Sequence, residues 1–117
     1  MNNEMIKRIK ANSKCLLVSC YNDEVNVGIC NYRYIDNRIL IECINYTNLL
    51  DTLNNNNNCI LYITVCDEIN VYYIIIKGTA SLSSTCFRCP SISNQNNKYL
   101  IDIKINNFDC YQEKKSN

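Results

Sequence analysis

Histidine and tryptophan are both missing from the 117 residues of this chain. Without histidine, no Ser–His or Cys–His pair can activate a nucleophile by general-base catalysis. Only two glycines are present, so a glycine-rich loop that cradles a phosphate cannot form. If the protein is an enzyme, a cofactor therefore has to supply the difficult chemical step.

Long apolar runs and a basic stripe are also lacking. No segment approaches the ~18 apolar residues of a membrane-spanning helix, and the N-terminal sequence MNNEMIKRIK contains no apolar signal core. The net charge is +1 and the cations are scattered, whereas a nucleic-acid-binding protein needs many cations on one face. We therefore expect a cytoplasmic protein without a nucleic-acid or membrane partner.

Cysteine, in contrast, is abundant, with nine residues. An odd number of cysteines without a signal peptide argues against a framework of disulfides. Five of them lie in apolar runs and are interpreted as small core residues: Cys15, Cys20, Cys43, Cys59 and Cys66. The one C-x-x-C motif, Cys86 to Cys89, leaves open a metal site or a redox pair, but a structural zinc site usually needs a second such pair. We expect no bound metal.

Hydrophobic periodicity divides the chain into two short helices and six strands. Residues 2–11 and 46–53 have the spacing of amphipathic helices. Strands are predicted at 15–21, 25–34, 38–44, 59–66, 71–83 and 99–105. The five consecutive asparagines at 54–58 are interpreted as a connector between the second helix and the fourth strand. Residues 84–97 are predicted to form a loop, and the tail 112–117 is predicted to be disordered.

These elements predict one mainly β domain that covers residues 1–117. Most consecutive strands are joined by turns, which favours an antiparallel sheet. Six strands in a chain of this length suit a small closed barrel, since closure removes exposed sheet edges. The strands at 39–44, 59–66 and 71–77 are apolar on both faces. An outer face of this kind has to be covered, and a second copy of the chain would cover it.

The order of the elements resembles the pyridoxamine 5′-phosphate oxidase-like family of FMN-binding split barrels. The similarity covers residues 4–84, and its local matches are VNVG at 25–28, NRILIE at 37–42 and IKGTA at 76–80. The helix in LLDTLNNNNNCILYI, followed by a polar turn and an apolar strand, also fits the family. The resemblance implies a small six-stranded antiparallel split barrel with two short helices, which forms a homodimer and holds FMN in a cleft between subunits.

The resemblance also implies where FMN would bind. The family holds the FMN phosphate at the junction between the third strand and the second helix, which corresponds here to Asn45, Tyr46, Thr47 and Asn48. Of these, Thr47 offers a hydroxyl, and the helix N-terminus itself favours an anion. The segment that contacts the isoalloxazine ring corresponds to Cys30, Asn31 and Tyr32.

A basic residue that the family places near the helix start falls at Asn48 here. The cation would then come from elsewhere in the chain, from Arg33, Arg38 or Lys77. Glu42 interrupts an apolar strand and is either a functional carboxylate or an exposed strand residue. Two functions remain open: a flavin-dependent oxidoreductase or flavin carrier, and a dimeric split barrel that has lost FMN and binds another small ligand or has a non-catalytic role. No catalytic residue is identified.

Overall fold

The computed structural model of the protein describes residues 1–44, 47–84 and 98–116. Within these ranges the chain forms two helices and six strands, in the predicted order. They are α1 (Asn3–Lys10), β1 (Lys14–Tyr21), β2 (Glu24–Ile35), β3 (Arg38–Ile44), α2 (Thr47–Asn55), β4 (Asn58–Cys66), β5 (Asn70–Ser84) and β6 (Lys98–Lys114). No helix among the described residues has both the length and the apolarity that a membrane crossing requires.

The six strands close into one barrel in the order β1-β2-β3-β6-β5-β4, and β4 hydrogen-bonds back to β1. Every neighbouring pair is antiparallel. The turns at Asn22–Asp23 and Asp36–Asn37 have positive φ angles, between 47° and 63°. Two-residue hairpins need this conformation to match the twist of their strands, and Asn and Asp tolerate it. The predicted small antiparallel split barrel is confirmed.

Side chains fill the barrel interior. Alternate residues of the strands point inward, and the largest of those with less than 2% exposure are Leu17, Ile39, Ile41, Leu61, Ile63, Ile74, Ile76, Ile101 and Ile103. Helix α1 adds Met5 and Ile9 to this core, and α2 adds Leu49 and Leu53. The apolar spacing that predicted the helices therefore marks the faces with which they pack on the barrel.

Gly78 lies at a β-bulge between β5 and β6. The register shifts there, because Lys77 pairs with Asn107 whereas Gly78 pairs with Ile105. A Cβ atom on Gly78 would approach the carbonyl oxygen of Lys104 to 2.7 Å, and real Cβ atoms do not tolerate such a contact. Glycine is therefore required at this position, where two backbones pass close together.

The connector between α2 and β4 is shorter than the five asparagines predicted for it. Asn55 is the last residue of α2 and Asn58 the first of β4, so only Asn56 and Asn57 connect them. The side chain of Asn56 donates to the carbonyl of Cys20 over 2.8 Å. The Asn57 carbonyl accepts the N–H of Ala80 over 2.8 Å. The connector is thus bonded to the barrel rather than loose.

The prediction of a disordered tail at 112–117 is wrong for residues 112–114. Strand β6 continues to Lys114, where it pairs with Asn70 of β5. The bulge explains the error. In β6 the buried residues have odd numbers as far as Ile105. Beyond the bulge the partly buried residues have even numbers, Phe108 and Cys110. The alternating pattern breaks between these two sets, so the sequence of β6 does not look like one continuous strand.

The six described cysteines differ in burial, and Cys110 is intermediate. Cys15, Cys30 and Cys59 are buried thiols, whereas Cys20 and Cys66 are exposed. The prediction that Cys15 and Cys59 are core residues is therefore confirmed. The same prediction is wrong for Cys20 and Cys66, which lie on the outer face of their strands. The side chain of Cys43 and the C-x-x-C motif lie outside what the structure describes.

Candidate functional site

The β2 segment predicted to contact flavin has two inward side chains and one outward side chain. Cys30 and Tyr32 are each only 4% exposed, and the Tyr32 hydroxyl donates to the carbonyl of Ile9 in α1. Burial, followed by the nearby Cys15 thiol, raises the pKa of Tyr32. Asn31 lies between them and is exposed. A ligand outside the barrel can therefore contact the side chain of Asn31 but only the backbone of the other two residues.

The predicted phosphate site lies at the start of α2. Asn45 and Tyr46 fall outside the described residues, and Thr47 is the first helical residue. Asn48 is exposed, and its carbonyl accepts the hydroxyl of Thr52 over 2.8 Å. This hydroxyl, which is buried, also accepts the side-chain amide of Asn26, so the helix is joined to β2. The described part of this junction contains no basic side chain.

Lys77 and Asn31 both lie on the outside of the barrel, but on strands that are not neighbours. Lys77 is exposed on β5, where its cross-strand partners are Ile60 and Asn107. Strands β4 and β1 separate β5 from β2, and three spacings of ~4.8 Å amount to about 14 Å. One copy of the chain therefore does not bring Lys77 together with Asn31.

The two arginines predicted as substitute cations are both on the outer surface. Arg38 forms an ion pair with Asp102, with 2.9 Å between Nε and Oδ1, so part of its charge is compensated. Arg33 is exposed on β2 opposite Leu40 of β3. Glu42 is also exposed, opposite Leu100.

A cation beside Asn31 was missed by the sequence analysis. Lys14, the first residue of β1, is the cross-strand partner of Asn31 and is exposed. The sequence contains the information that predicts this pairing. A two-residue turn at Asn22–Asp23 fixes the register of the hairpin, and counting back along both strands places Lys14 opposite Asn31.

The outward side chains of β2, β1, β4 and β5 form a continuous hydrophobic surface, which we call the outer apolar face. Its members are Leu16, Val18, Val27, Ile29, Ile60, Tyr62 and Ile75. Ile29 is 66% exposed and Val27 is 52% exposed. The sequence predicted such surfaces on β3, β4 and β5. The face instead includes β1 and β2 and leaves out β3, where Glu42 is exposed.

The outer apolar face consists of two adjacent rows across the strands. One row runs through Ile29, Leu16, Tyr62 and Ile75, which are successive cross-strand partners. The second row runs through Val27, Val18, Ile60 and Lys77. The three spacings of ~4.8 Å between the four strands amount to about 14 Å. Contiguous apolar surface on this scale marks an interaction site in soluble proteins.

No family model matches the sequence, and no curated protein matches it. Solved structures do match the fold. A proposed pyridoxamine 5′-phosphate oxidase from Corynebacterium glutamicum is similar with a TM-score of 0.75 and 14% identity, covering 97% of this chain and 96% of that chain. An FAD-binding protein from Mesorhizobium loti matches with a TM-score of 0.74 and 11% identity, with coverage of 97% and 93%.

An FAD-binding protein from Mycobacterium smegmatis matches equally well, with a TM-score of 0.74, 12% identity and coverage of 97% and 95%. Matches over almost the whole of both chains mean that the barrel and both helices are shared, not one hairpin. Identities this low establish the architecture rather than the activity. The chain therefore has the fold of the pyridoxamine 5′-phosphate oxidase-like split barrels.

Proposed function

We propose that the protein is a flavin-binding split barrel that binds FMN and acts as a flavin-dependent oxidoreductase or flavin carrier. The observation that carries this proposal is the match of the entire fold to proteins described as FAD-binding and to a proposed pyridoxamine 5′-phosphate oxidase. Flavin would supply the electron transfer. The chain's own residues would bind and orient it.

We further propose that the protein works as a homodimer that buries the outer apolar face. Exposed Ile29 and Val27 side chains on a four-stranded surface are costly in water, at about 25 cal/mol per Å² of apolar area. A second copy covers them through the same face, as a two-fold axis requires. The exposed residues around the face, such as Lys14, Asn31 and Lys77, would form the polar rim that interfaces of this kind have.

The polar residues beside the face support a phosphate-bearing ligand. Asn31 and Lys14 offer a hydrogen-bonding amide and a cation on adjacent strands, and Asn48 is exposed in the first turn of α2. The dipole of a helix favours an anion at its N-terminus. The odd number of cysteines in the chain suits a reducing compartment such as the cytoplasm.

A second candidate function is a split-barrel dimer that does not bind flavin. It is favoured by the burial of Cys30 and Tyr32, since two of the three side chains predicted to contact the ring point into the core. The absorbance spectrum of the purified protein, with and without added FMN, separates the two candidates. A shifted and retained flavin band supports the first candidate, and a colourless protein that does not perturb FMN or FAD supports the second.

A further inference from the structure

Strand β6 has a second neighbouring strand along only part of its length. On one side it pairs with β5 both before and after the bulge, and on the other side it pairs with β3 only as far as Lys104. One further bond, from the N–H of Ile105 to the carbonyl of Asn37 over 3.4 Å, ends this contact. Within the part of the chain that the structure describes, no strand pairs with that side of residues 107–114. We call this segment the free edge of β6.

The hydrogen bonds of the free edge show which of its residues face away from β5. The N–H of Lys115 donates to the carbonyl of Ile69 over 2.8 Å, and these two residues continue the register of β5 and β6. Because bonded residues alternate in an antiparallel pair, the odd-numbered residues bond to β5. The N–H of Phe108 accordingly points the other way and is bonded to the side chain of Asn107 over 2.8 Å. The remaining residues that direct N–H and C=O groups away from β5 are Cys110, Gln112 and Lys114.

The outward side chains of the free edge are acidic. Tyr111 is the cross-strand partner of Tyr73 and is 58% exposed. Asp109 and Glu113 lie two residues to either side of it and are exposed on the same face. The carboxylate of Glu113 accepts the hydroxyl of Tyr73 over 3.2 Å. Alternation places Lys114 on the opposite face, so the outward row of residues 107–113 contains two carboxylates and no cation.

A second copy of the same edge is a poor occupant. An antiparallel pairing of two copies that uses all the even-numbered residues from 108 to 114 is centred on Tyr111. It would place Asp109 of one copy opposite Glu113 of the other, and like charges directly opposite each other destabilise a sheet. The same two carboxylates favour a strand that carries cations at these positions.

We propose that the free edge of β6 binds an extended basic peptide segment, which adds to the sheet as a further strand. The backbone of the segment would bond to the even-numbered residues from 110 to 114, and its side chains at alternate positions would lie opposite Glu113, Tyr111 and Asp109. The pattern recognised is therefore a cation, any residue, an apolar residue, any residue and a cation. In this mode of binding the backbone bonds supply affinity and the side chains supply selectivity. The inference does not depend on the proposed flavin binding.

A fluorescein-labelled peptide of sequence TKTVTKT is the probe for this pattern, because threonine and valine favour strands and its two lysines share one face. Fluorescence anisotropy with the full chain should show saturable binding. The peptide TKTVKTT has the same composition but places its lysines on opposite faces, and it should bind about fivefold more weakly. TKTVTKT with N-methyl groups on its third and fifth residues should not bind, since it lacks the N–H groups that would face the edge.

Neutral substitutions test the contribution of the two carboxylates. The double variant Asp109→Asn, Glu113→Gln should weaken TKTVTKT binding about fivefold. The matched control is Glu24→Gln with Asp51→Asn, because it removes the same charge from exposed positions on β2 and α2. This control should leave the affinity unchanged.

Proline at position 112 tests the backbone bonds. The N–H of Gln112 faces away from β5, so Gln112→Pro keeps the bonds between β5 and β6, as edge strands allow. The variant should lose TKTVTKT binding, whereas Gln112→Thr should retain it. Amide hydrogen exchange of the wild type gives a readout that needs no variant. The N–H groups of Cys110 and Gln112 should exchange faster than those of Tyr111 and Glu113, and the peptide should slow the faster pair.

Three results would overturn the proposal. Wild-type protein that does not bind TKTVTKT would show that the carboxylates only protect an exposed edge. Equal binding of the N-methylated and unmodified peptides would show attraction between charges without strand addition. Self-association that rises with concentration and is abolished by Gln112→Pro would make a second copy the occupant. None of these results bears on flavin binding, which the absorbance spectrum measures separately.

Discussion

The side-chain amide of Asn26 on β2 donates to the hydroxyl of Thr52 on α2. Thr52 is buried, and its own hydroxyl donates to the carbonyl of Asn48 over 2.8 Å. This pair therefore joins the candidate phosphate-binding helix to the strand that carries Asn31. The buried hydroxyl therefore links α2 to the barrel.

Thr52→Val should destabilise the protein by about 1–2 kcal/mol, because it keeps the shape of the side chain but leaves the Asn26 amide without its acceptor. Chemical denaturation measures this directly. Asn54→Ala is the control on the same helix, since Asn54 is exposed, and it should change stability by less than about 0.5 kcal/mol. Equal effects of the two substitutions would contradict the role given to Thr52.

Asn48→Lys should strengthen FMN binding about tenfold, since it adds a charge-assisted contact at the helix N-terminus. Riboflavin binding should not change. Asn54→Lys adds the same charge near the other end of α2, and should leave both affinities as they are. If Asn54→Lys strengthens FMN binding and Asn48→Lys does not, the phosphate lies at the opposite end of the helix.

Gly78→Ala should cost about 1–3 kcal/mol in unfolding free energy, because the new Cβ would lie 2.7 Å from the carbonyl oxygen of Lys104. Ser81→Ala provides the comparison, as Ser81 is exposed on the same strand. Urea denaturation of both variants decides the matter. A Gly78→Ala protein as stable as the Ser81→Ala protein would mean that β5 and β6 move apart at the bulge without cost.

Alkaline pH should destabilise the protein through two buried thiols. Burial raises the pKa of Cys59 from 9.0 to about 12, and burial together with the Cys59 thiol raises the pKa of Cys15 from 9.0 to about 12. Between these values the folded protein keeps protons that the unfolded chain releases. Stability is therefore full below pH 9 and falls as the pH rises toward 12.

The double variant Cys15→Ala, Cys59→Ala should show a shallower decline of unfolding free energy with pH than the wild type does. The exposed Cys20 offers the control, and Cys20→Ala should keep the wild-type slope. Parallel curves for the double variant and the wild type would show that the buried thiols are not the cause. The comparison uses slopes, so the loss of packing in the double variant does not affect it.

Most of the architecture followed from periodicity and turn residues. The Asn22–Asp23 and Asp36–Asn37 turns were recognisable because few other residues adopt a positive φ. The bulge at Gly78 hid the second half of β6, since a shift of one residue reverses the faces of a strand. Periodicity shows that a strand has two apolar faces, but it does not show which face is inside.

The candidate site was predicted less completely. The segment 30–32 was identified through the family resemblance, yet the resemblance did not show that Cys30 and Tyr32 point into the core. Lys14 could have been paired with Asn31 by counting from the turn. The separation of Lys77 from Asn31 required the closed barrel and its strand order, because β1 and β4 lie between their two strands.

The central claim is that two copies of this chain bind flavin together. Size-exclusion chromatography with light scattering and flavin absorbance, on protein loaded with FMN, measures mass and bound flavin in one experiment. We expect one peak at twice the 13.6 kDa of the chain, carrying the flavin absorbance with one FMN per chain. A peak at 13.6 kDa without flavin absorbance would contradict the account.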